Sequence, residues 1–248
     1  MHGMNDFYGS AEEENSIKVL NRSIEIGCNF WDTAELYGNG ENHRLLSKVL
    51  KDRRNEVFLC TKFGLFRDEN NKFSVSGSPD YVRQACERTL KDLGIDYIDL
   101  LLSTSPIEDT VSALAELVNE GKVKYIGLSE CSAETLRHAY KVHPIAADQI
   151  EYSPWTLDIE ANGLMEACKE LGVTIVAYSP FGQGILTGNY KSIHDFGPDD
   201  LRRKISRFQT WVISQGDNIV VIPGTKKIKY LEENYDAVKV NLSSDEFD

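Results

Sequence analysis

Basic residues are in short supply in this chain. It carries 27 lysines and arginines against 39 aspartates and glutamates, a formal net charge of -12. A surface of that sign repels a phosphate backbone, whose binding depends on cationic side chains releasing counterions, so nucleic acid is not an expected partner. Long apolar runs are missing too. No stretch approaches the about 20 consecutive apolar residues that a membrane-spanning helix requires, and a membrane is not an expected partner either. The opening MHGMNDFYG has neither an apolar segment nor a small-residue cleavage site, which argues against secretion. The expected location is the cytoplasm, with the nucleus open to it as well. The five cysteines, Cys28, Cys60, Cys86, Cys131 and Cys168, form no C-x-x-C pair and have no cysteine and histidine spacing that suits zinc. They are expected to be reduced and structural, and no metal site is expected.

What is present is a rhythm. Short apolar runs rich in Val, Ile, Tyr and Phe recur at 29 to 34, 57 to 64, 97 to 104, 123 to 130, 146 to 153, 173 to 180 and 218 to 224, and each reads as a buried strand. Helical patterns lie between them. Ile17, Leu20, Ile24 and Ile26 are close to helical spacing. Pro79 opens a segment in which Val82, Ala85, Cys86, Thr89, Leu90 and Leu93 share one face before Gly94 ends it. Further helices fit 108 to 119, 133 to 142, 160 to 171 and 227 to 238.

Strict alternation of strand and helix implies parallel strands joined by right-handed crossovers, either doubly wound or closed into a barrel. A doubly wound sheet usually carries G-x-G-x-x-G after its first strand. That fingerprint is absent, and Gly182, Gln183 and Gly184 make only a partial match far from the first strand. The 248 residues match the roughly 250 of one eight-unit barrel. The expected fold is therefore a single α/β domain over residues 1–248, a (β/α)8 TIM barrel. Such barrels build their sites where the strands end. The residues found there are Asp32, Lys62, Thr104, Ser129, Gln149 with Tyr152, Tyr178 with Ser179, and Pro223 with Thr225.

Among these, Asp32, Tyr37 and Lys62 are the most suggestive. A phenol ionises near pH 10 unless a nearby ammonium lowers that value. Lys62 could supply the charge, with Asp32 holding it in place, and the three would form a proton relay for carbonyl reduction. From spacing alone they also suit an ordinary buried ion pair beside a loop tyrosine.

The segments FWDTAELYGNGEN, FLCTKFG, LGIDYIDL, GKVKYIGLSE, DQIEYSPW, VAYSPFGQGILTG and IPGTKKIKYLEEN together make the chain similar, over almost its whole length, to the aldo-keto reductases. The likeness is greatest to fungal and plant members that reduce pyridoxal and aryl aldehydes. It implies NADPH in preference to NADH, a small carbonyl substrate, and Tyr37 as general acid supported by Lys62 and Asp32. By the same resemblance Ser129 and Gln149 bind the nicotinamide carboxamide, and Tyr178 stacks on the nicotinamide ring. Ser179, Phe181, Gly182 and Leu186 line the pyrophosphate channel. Thr225, Lys226 and Lys227 meet the adenosine 2′-phosphate, Pro223 and Gly224 beside them also contact the cofactor, and Glu233 with Asn234 holds the adenine. Lysines at a helix start suit an anion, because free backbone N–H groups point the same way. Without the resemblance they would read as a solvated basic turn.

The chain departs from the family pattern in two respects. Family members carry a histidine a few residues beyond the DL of LGIDYIDL, and this sequence has Thr104 there. None of His2, His43, His138, His143 and His194 falls at an expected strand end that could replace it. The neighbouring hydroxyls of Ser103, Thr104 and Ser105 are the remaining donors. The chain is also short against the pattern. MHGMN matches only the end of the family's first strand, several loop residues are missing between Ser105 and Pro106, and roughly thirty are missing between Gln209 and Thr210, counting against the eight-unit size. RRKISR (202 to 207), beside that second junction, reads as a solvated helix face or a phosphate contact.

Three functions compete at this point. The first is NADPH-dependent reduction of an aldehyde or ketone, with pyridoxal or an aromatic aldehyde as the substrate the resemblance suggests. The second is a regulatory subunit that binds NADP(H) and turns over little, which the missing histidine favours. The third, a lyase using a Lys62 Schiff base, needs an uncharged lysine, and Asp32 opposes that.

Overall fold

The computed structural model describes residues 12–67, 72–105, 108–182, 186 and 219–237. Seven strands form one parallel sheet: β1 (Phe30–Asp32), β2 (Phe58–Phe63), β5 (Ile98–Ser103), β6 (Val123–Ser129), β7 (Ala147–Glu151), β8 (Thr174–Tyr178) and β9 (Ile219–Val221). They lie side by side in chain order, with no reversal. Right-handed crossovers in one direction place every helix on the same face, so the opposite face can be buried only by curling on itself.

The side chains show that curl. Cys60, Leu100, Leu102, Ala147 and Val176 form one core cluster, joined by Phe30, Phe58, Ala146 and Ile222. Alternate residues of the same strands, such as Leu59, Leu101, Ile150 and Ile175, pack with the helices instead. This is the two-residue period of a strand, and it assigns the first cluster to the barrel interior. The helical ring closes where the sheet does not. α1 (Glu13–Glu25) meets α8 (Ile228–Asp236) through the Arg22 to Glu232 ion pair at 2.6 Å and through Leu231, which packs with Val19 and Leu20. Among the described residues no pairing joins β9 to β1. The fold is thus the (β/α)8 type with seven of its strands paired.

The helices follow the sequence closely. In α3 (Pro79–Leu93) the Ser78 hydroxyl accepts the Tyr81 N–H at 3.4 Å, Pro79 occupies the first turn, and Gly94 ends the helix at φ 65°. The buried residues of α3 are the six whose spacing defined its face. α4 (Glu108–Asn119) and α5 (Ala133–Val142) also occupy the expected ranges. The expected helix over 160 to 171 is instead two, α6 (Asp158–Ala161) and α7 (Leu164–Leu171), because Gly163 takes φ 84° between them. Two elements had no counterpart in the sequence reading. One is α2 (Glu41–Arg53), whose buried face includes the polar Asn42 and His43 and so breaks the apolar stripe. The other is an antiparallel hairpin of β3 (Leu65–Arg67) and β4 (Phe73–Val75).

Two buried carboxylates set opposite pH trends. Asp99, at the end of the sheet where the strands begin, accepts from Arg54 at 2.7 Å, Lys124 at 2.8 Å and the Leu59 N–H at 2.9 Å. Burial alone would raise its carboxyl, but these partners outweigh burial and hold it below the usual range. Asp148 in β7 is fully buried, with neither oxygen hydrogen-bonded. Burial pushes it up to about 7, and Glu130 adds to the rise while Cys131 opposes it.

Asp99→Asn should cost about 2–4 kcal/mol at neutral pH, because it strands Arg54 and Lys124 beside a neutral partner. The deficit should narrow as pH falls through the depressed Asp99 value, where the wild-type carboxylate is itself neutralised. Asp148 works the other way. Its protonated form contributes fully below the unfolded value of about 3.9, and that contribution is lost as pH rises through the folded value of about 7. Asp148→Asn should match the wild type near pH 4, gain on it steadily as pH rises, and exceed it by about 2–4 kcal/mol from pH 7 upward. Urea titrations of both variants at three pH values check both trends.

Candidate active site

The functional candidates gather where the parallel strands end, and strand parity explains why. Asp32 pairs in register with Cys60, Lys62 with Leu102, and Ser129 with Gln149. Lys62 and Gln149 follow the inward Cys60 and Ala147 by two residues, and Tyr178 follows Val176 in the same way. All therefore point along the interior at one mouth.

The centre of the site is an ion pair. Lys62 Nζ donates to Asp32 Oδ1 at 2.6 Å, to Asp32 Oδ2 at 2.7 Å and to the Thr33 carbonyl at 2.9 Å. The side chains are only 10% and 8% exposed. Gln149 Nε2 donates to Asp32 Oδ1 at 2.7 Å, and Cys60 lies fully buried beside the same carboxylate. Burial alone would lower the Lys62 ammonium. The charges of Asp32, Tyr37 and Cys60 outweigh it and raise the value above the ordinary one, so Lys62 stays charged.

Tyr37 opens a short 3-10 turn, Tyr37–Gly40, in the loop after β1. Lys62 Nζ sits 5.4 Å from its ring centroid. The phenol differs from the sequence expectation in one respect. Burial raises its value, Lys62 lowers it and the Asp32 charge raises it again, leaving it above the ordinary 10. Tyr37 is therefore a protonated donor at neutral pH, and the phenolate left after donation faces a fixed cation.

Thr104 follows β5, and its hydroxyl donates to the Phe63 carbonyl at 3.1 Å. A hydroxyl has one proton to give, so in this arrangement Thr104 presents only acceptor lone pairs to a neighbouring group. Ser103 Oγ accepts the Ser105 N–H at 3.1 Å. His43 is buried in α2 against Thr61 Oγ1 at 3.0 Å, and burial lowers it to about 4. His138 lies in α5 and His143 caps it, while His2 and His194 fall outside the described residues.

The remaining candidates surround the same mouth. Ser129 and Gln149 are buried at adjacent strand ends. Ser179 and Glu130, each just past a strand, take left-handed φ of 51° and 56°, conformations that cost energy in non-glycine residues and cluster at functional sites. Gly182 takes φ 51°, and a Cβ there would stand 2.8 Å from the Trp155 ring. The Leu186 N–H donates to the Phe181 carbonyl at 3.1 Å. Pro223, Gly224, Thr225, Lys226 and Lys227 lead into α8, where Thr225 Oγ1 accepts the Lys227 N–H at 3.2 Å. Lys226 and Lys227 line a cleft of about 440 Å³ with Glu12, Asn15, Ser16 and Lys18. Glu233 pairs with Lys229 at 3.6 Å, and Asn234 is half-buried on α8. RRKISR and the junction at Gln209 and Thr210 lie outside the described residues.

Three residues that sequence reasoning left out belong to the site. Thr33 offers its carbonyl to Lys62 and its hydroxyl to the fully buried Asn42 at 2.7 Å, and Glu35 anchors the Tyr37 loop. All three lie inside the quoted FWDTAELYGNGEN segment, so the motif marked them without saying what each does. Among the described residues no group of three or more His, Cys, Asp or Glu side chains could hold a metal ion, and no helix is long and apolar enough to cross a membrane.

The chain has relatives throughout its length. The model of the Aldo/keto reductase family matches residues 1–210. The aldo-keto reductase str7 of Strobilurus tenacellus is 47% identical over 284 positions, covering 98% of this chain and 82% of that protein. The aldo-keto reductase yakc [NADP(+)] of Schizosaccharomyces pombe is 42% identical, covering 97% of this chain and 83% of its own length. Among solved structures, an aldo-keto reductase from Bacillus halodurans in its holo form superposes with a TM-score of 0.77 at 25% identity, over 95% of this chain and 85% of that one. An alignment of 284 positions against 248 residues leaves relatives with internal residues that have no counterpart here, in keeping with the shortened loops. With a family model over most of its length, two relatives above 40% identity and the family's barrel around a buried Asp32, Lys62 and Tyr37 cluster, the chain belongs to the aldo/keto reductase family.

Proposed function

We propose that this chain reduces a small aldehyde or ketone to the alcohol with NADPH, using Tyr37 as the proton donor. The observation that carries this reading is the coupling of a protonated phenol to a permanently charged Lys62 locked on Asp32. A relative whose name carries NADP(+) at 42% identity supports the choice of cofactor. Pyridoxal or an aromatic aldehyde is the substrate class suggested by the family likeness.

The residues present fit that cofactor. Gln149 commits one N–H to Asp32 and retains its carbonyl oxygen and a second N–H, which together with the Ser129 hydroxyl can bind a carboxamide. Tyr178 offers a ring at the strand end beside them. The left-handed Ser179 and Gly182 bring backbone close to where a pyrophosphate would run. Lys226 and Lys227, immediately before the nine-residue α8, suit a 2′-phosphate, and Glu233 with Asn234 lies one to two turns along the helix for the adenine. When bound, NADPH supplies the hydride.

The chain's own work is the proton. Tyr37 donates from Oη to the carbonyl oxygen as negative charge grows there, Lys62 stabilises the phenolate left behind, and Asp32 keeps Lys62 charged and in place. Thr104 has given its proton to Phe63, so the substrate oxygen has one side-chain donor fewer than a histidine would provide. That observation favours a second reading, an NADP(H)-binding sensor with little turnover.

Tyr37→Phe should leave NADPH binding, followed by tryptophan fluorescence, unchanged and lower kcat for pyridoxal or nitrobenzaldehyde by about 100-fold or more. Because the folded phenol titrates above its ordinary value, the wild-type reduction rate should stay level across neutral pH and fall only on the alkaline side. Tight NADPH binding without turnover in the wild type would sustain the sensor instead.

A further inference from the structure

The loop that carries Tyr37 closes on itself through the Tyr37 N–H to the Ala34 carbonyl at 3.1 Å and the Asn39 N–H to the Leu36 carbonyl at 3.2 Å, but those bonds do not orient it against the barrel. Gly38, Asn39 and Gly40 take φ of 58°, 52° and 86° in succession, and one of them, Asn39, bears a side chain. The two glycines take this conformation freely, so the backbone cost falls on Asn39 alone and persists where the surroundings hold it. The inner side of the loop is fixed by Lys62. Its outer side rests on α3 in two places: Arg44 bridges the Asn39 carbonyl, at 3.4 Å, to Asp92 of α3, at 3.7 Å, and Glu35 makes the more buried connection.

Every polar group of Glu35 is engaged. Its N–H donates to the Lys62 carbonyl at 3.0 Å, and its own carbonyl accepts the Gly40 N–H at 3.1 Å, closing the strained turn. Its Oε1 accepts from Arg88 Nε at 2.9 Å and Nη2 at 2.7 Å. Its Oε2 accepts from the Tyr81 hydroxyl at 3.4 Å. The Glu35 side chain is 18% exposed, against 46% for Arg88. Tyr81 in turn stacks on Phe66 of the hairpin with ring centroids 5.0 Å apart, and the Arg88 guanidinium lies 5.3 Å from the Tyr81 centroid. Burial, with the Glu35 charge second, pushes the Tyr81 phenol up to about 12, so it remains a donor. These groups wall a cleft of about 280 Å³, lined also by Leu36, Asn39 and Arg67.

We infer that Glu35, clamped by Arg88 and Tyr81 of α3, is a positioning residue that holds the Tyr37 phenol over Lys62. Glu35 touches neither the reacting atoms nor the ion pair's side chains. It acts through the main chain, joining the residue before Leu36 and Tyr37 both to the Lys62 backbone and to a helix outside the barrel. Two arginine N–H groups on Oε1 and the Tyr81 hydroxyl on Oε2 fix the direction of the carboxylate as well as its distance, which a loop with two freely rotating glycines lacks. The inference rests on the reading of Tyr37 as proton donor, and the test separates the two.

The test uses the full chain labelled with fluorinated tyrosine, the Tyr37 resonance being the one lost in Tyr37→Phe. In Glu35→Gln and Arg88→Met that resonance should shift or broaden, while the urea midpoint moves no more than in Arg137→Met, which breaks a comparable exposed pair with Glu170 far from the site. In the same variants kcat should fall about tenfold or more with NADPH affinity unchanged, and the exchange of Glu35→Arg with Arg88→Glu should recover part of the loss. An unmoved Tyr37 resonance in both variants, or a kcat loss no greater than that of Arg137→Met, overturns the positioning role. If the wild type shows no turnover, the oxidoreductase reading fails by itself, and the resonance alone decides the clamp.

Discussion

A charged lysine buried at a strand end is tolerable only beside a buried carboxylate, and the arrangement of Lys62 on Asp32 organises the mouth of this barrel. Removing either charge leaves the other stranded in a poorly solvated interior, at a cost of several kcal/mol. The pair also links strands: Asp32 comes from β1, Lys62 from β2, and Gln149, which donates to Asp32, from β7. Holding those strands in parallel register therefore also builds the site. The Thr33 carbonyl on Nζ and the Glu35 N–H on the Lys62 carbonyl extend the same lysine's control into the loop that bears Tyr37.

The two ends of the sheet use charge differently. Where the strands begin, Asp99 is surrounded by Arg54, Lys124 and a backbone N–H, with Tyr97 between the two cations at 4.0 and 4.1 Å. Both cations share the one carboxylate, and the arrangement fastens β2, β5 and β6 together. Where the strands end, the polar groups face the interior and several keep hydrogen-bonding capacity in reserve. That asymmetry is how barrels of this kind divide stability from chemistry. Asp148 follows neither pattern: it lies on the helix side of β7 with Cys131 as its polar neighbour, and burial pushes the Cys168 thiol nearby up to about 12.

The proton donor and its helpers are tuned by opposing effects. Burial raises Tyr37 and would lower Lys62, while the Asp32 charge, with Tyr37 and Cys60 behind it, reverses the second and the Lys62 charge softens the first. The outcome is a phenol that keeps its proton until it is needed and an ammonium that never gives one up, which also removes Lys62 from Schiff-base chemistry. Thr104 stands apart from this set. Gly64 beneath it takes φ 107°, and a Cβ there would stand 2.6 Å from Thr104 Oγ1, so the threonine fits a tightly packed corner with its hydroxyl turned to the Phe63 carbonyl.

The alternation of seven strands with helices, the face of α3, and the interior direction of Asp32, Lys62, Ser129, Gln149 and Tyr178 were all determined by sequence, because strand and helix periods are local and chain order decides the crossovers. The short glycine break at Gly163 and the helix α2, with Asn42 and His43 on its buried face, were not, since polar residues can be buried when partners from elsewhere satisfy them. Only the tertiary structure decided that Thr104 spends its proton on a residue 41 positions away, that Arg88 reaches Glu35 across 53 positions, and that Asp148 lies buried without a hydrogen bond. Each depends on which side chains packing brings within 3 to 4 Å, and periodicity carries no information about that.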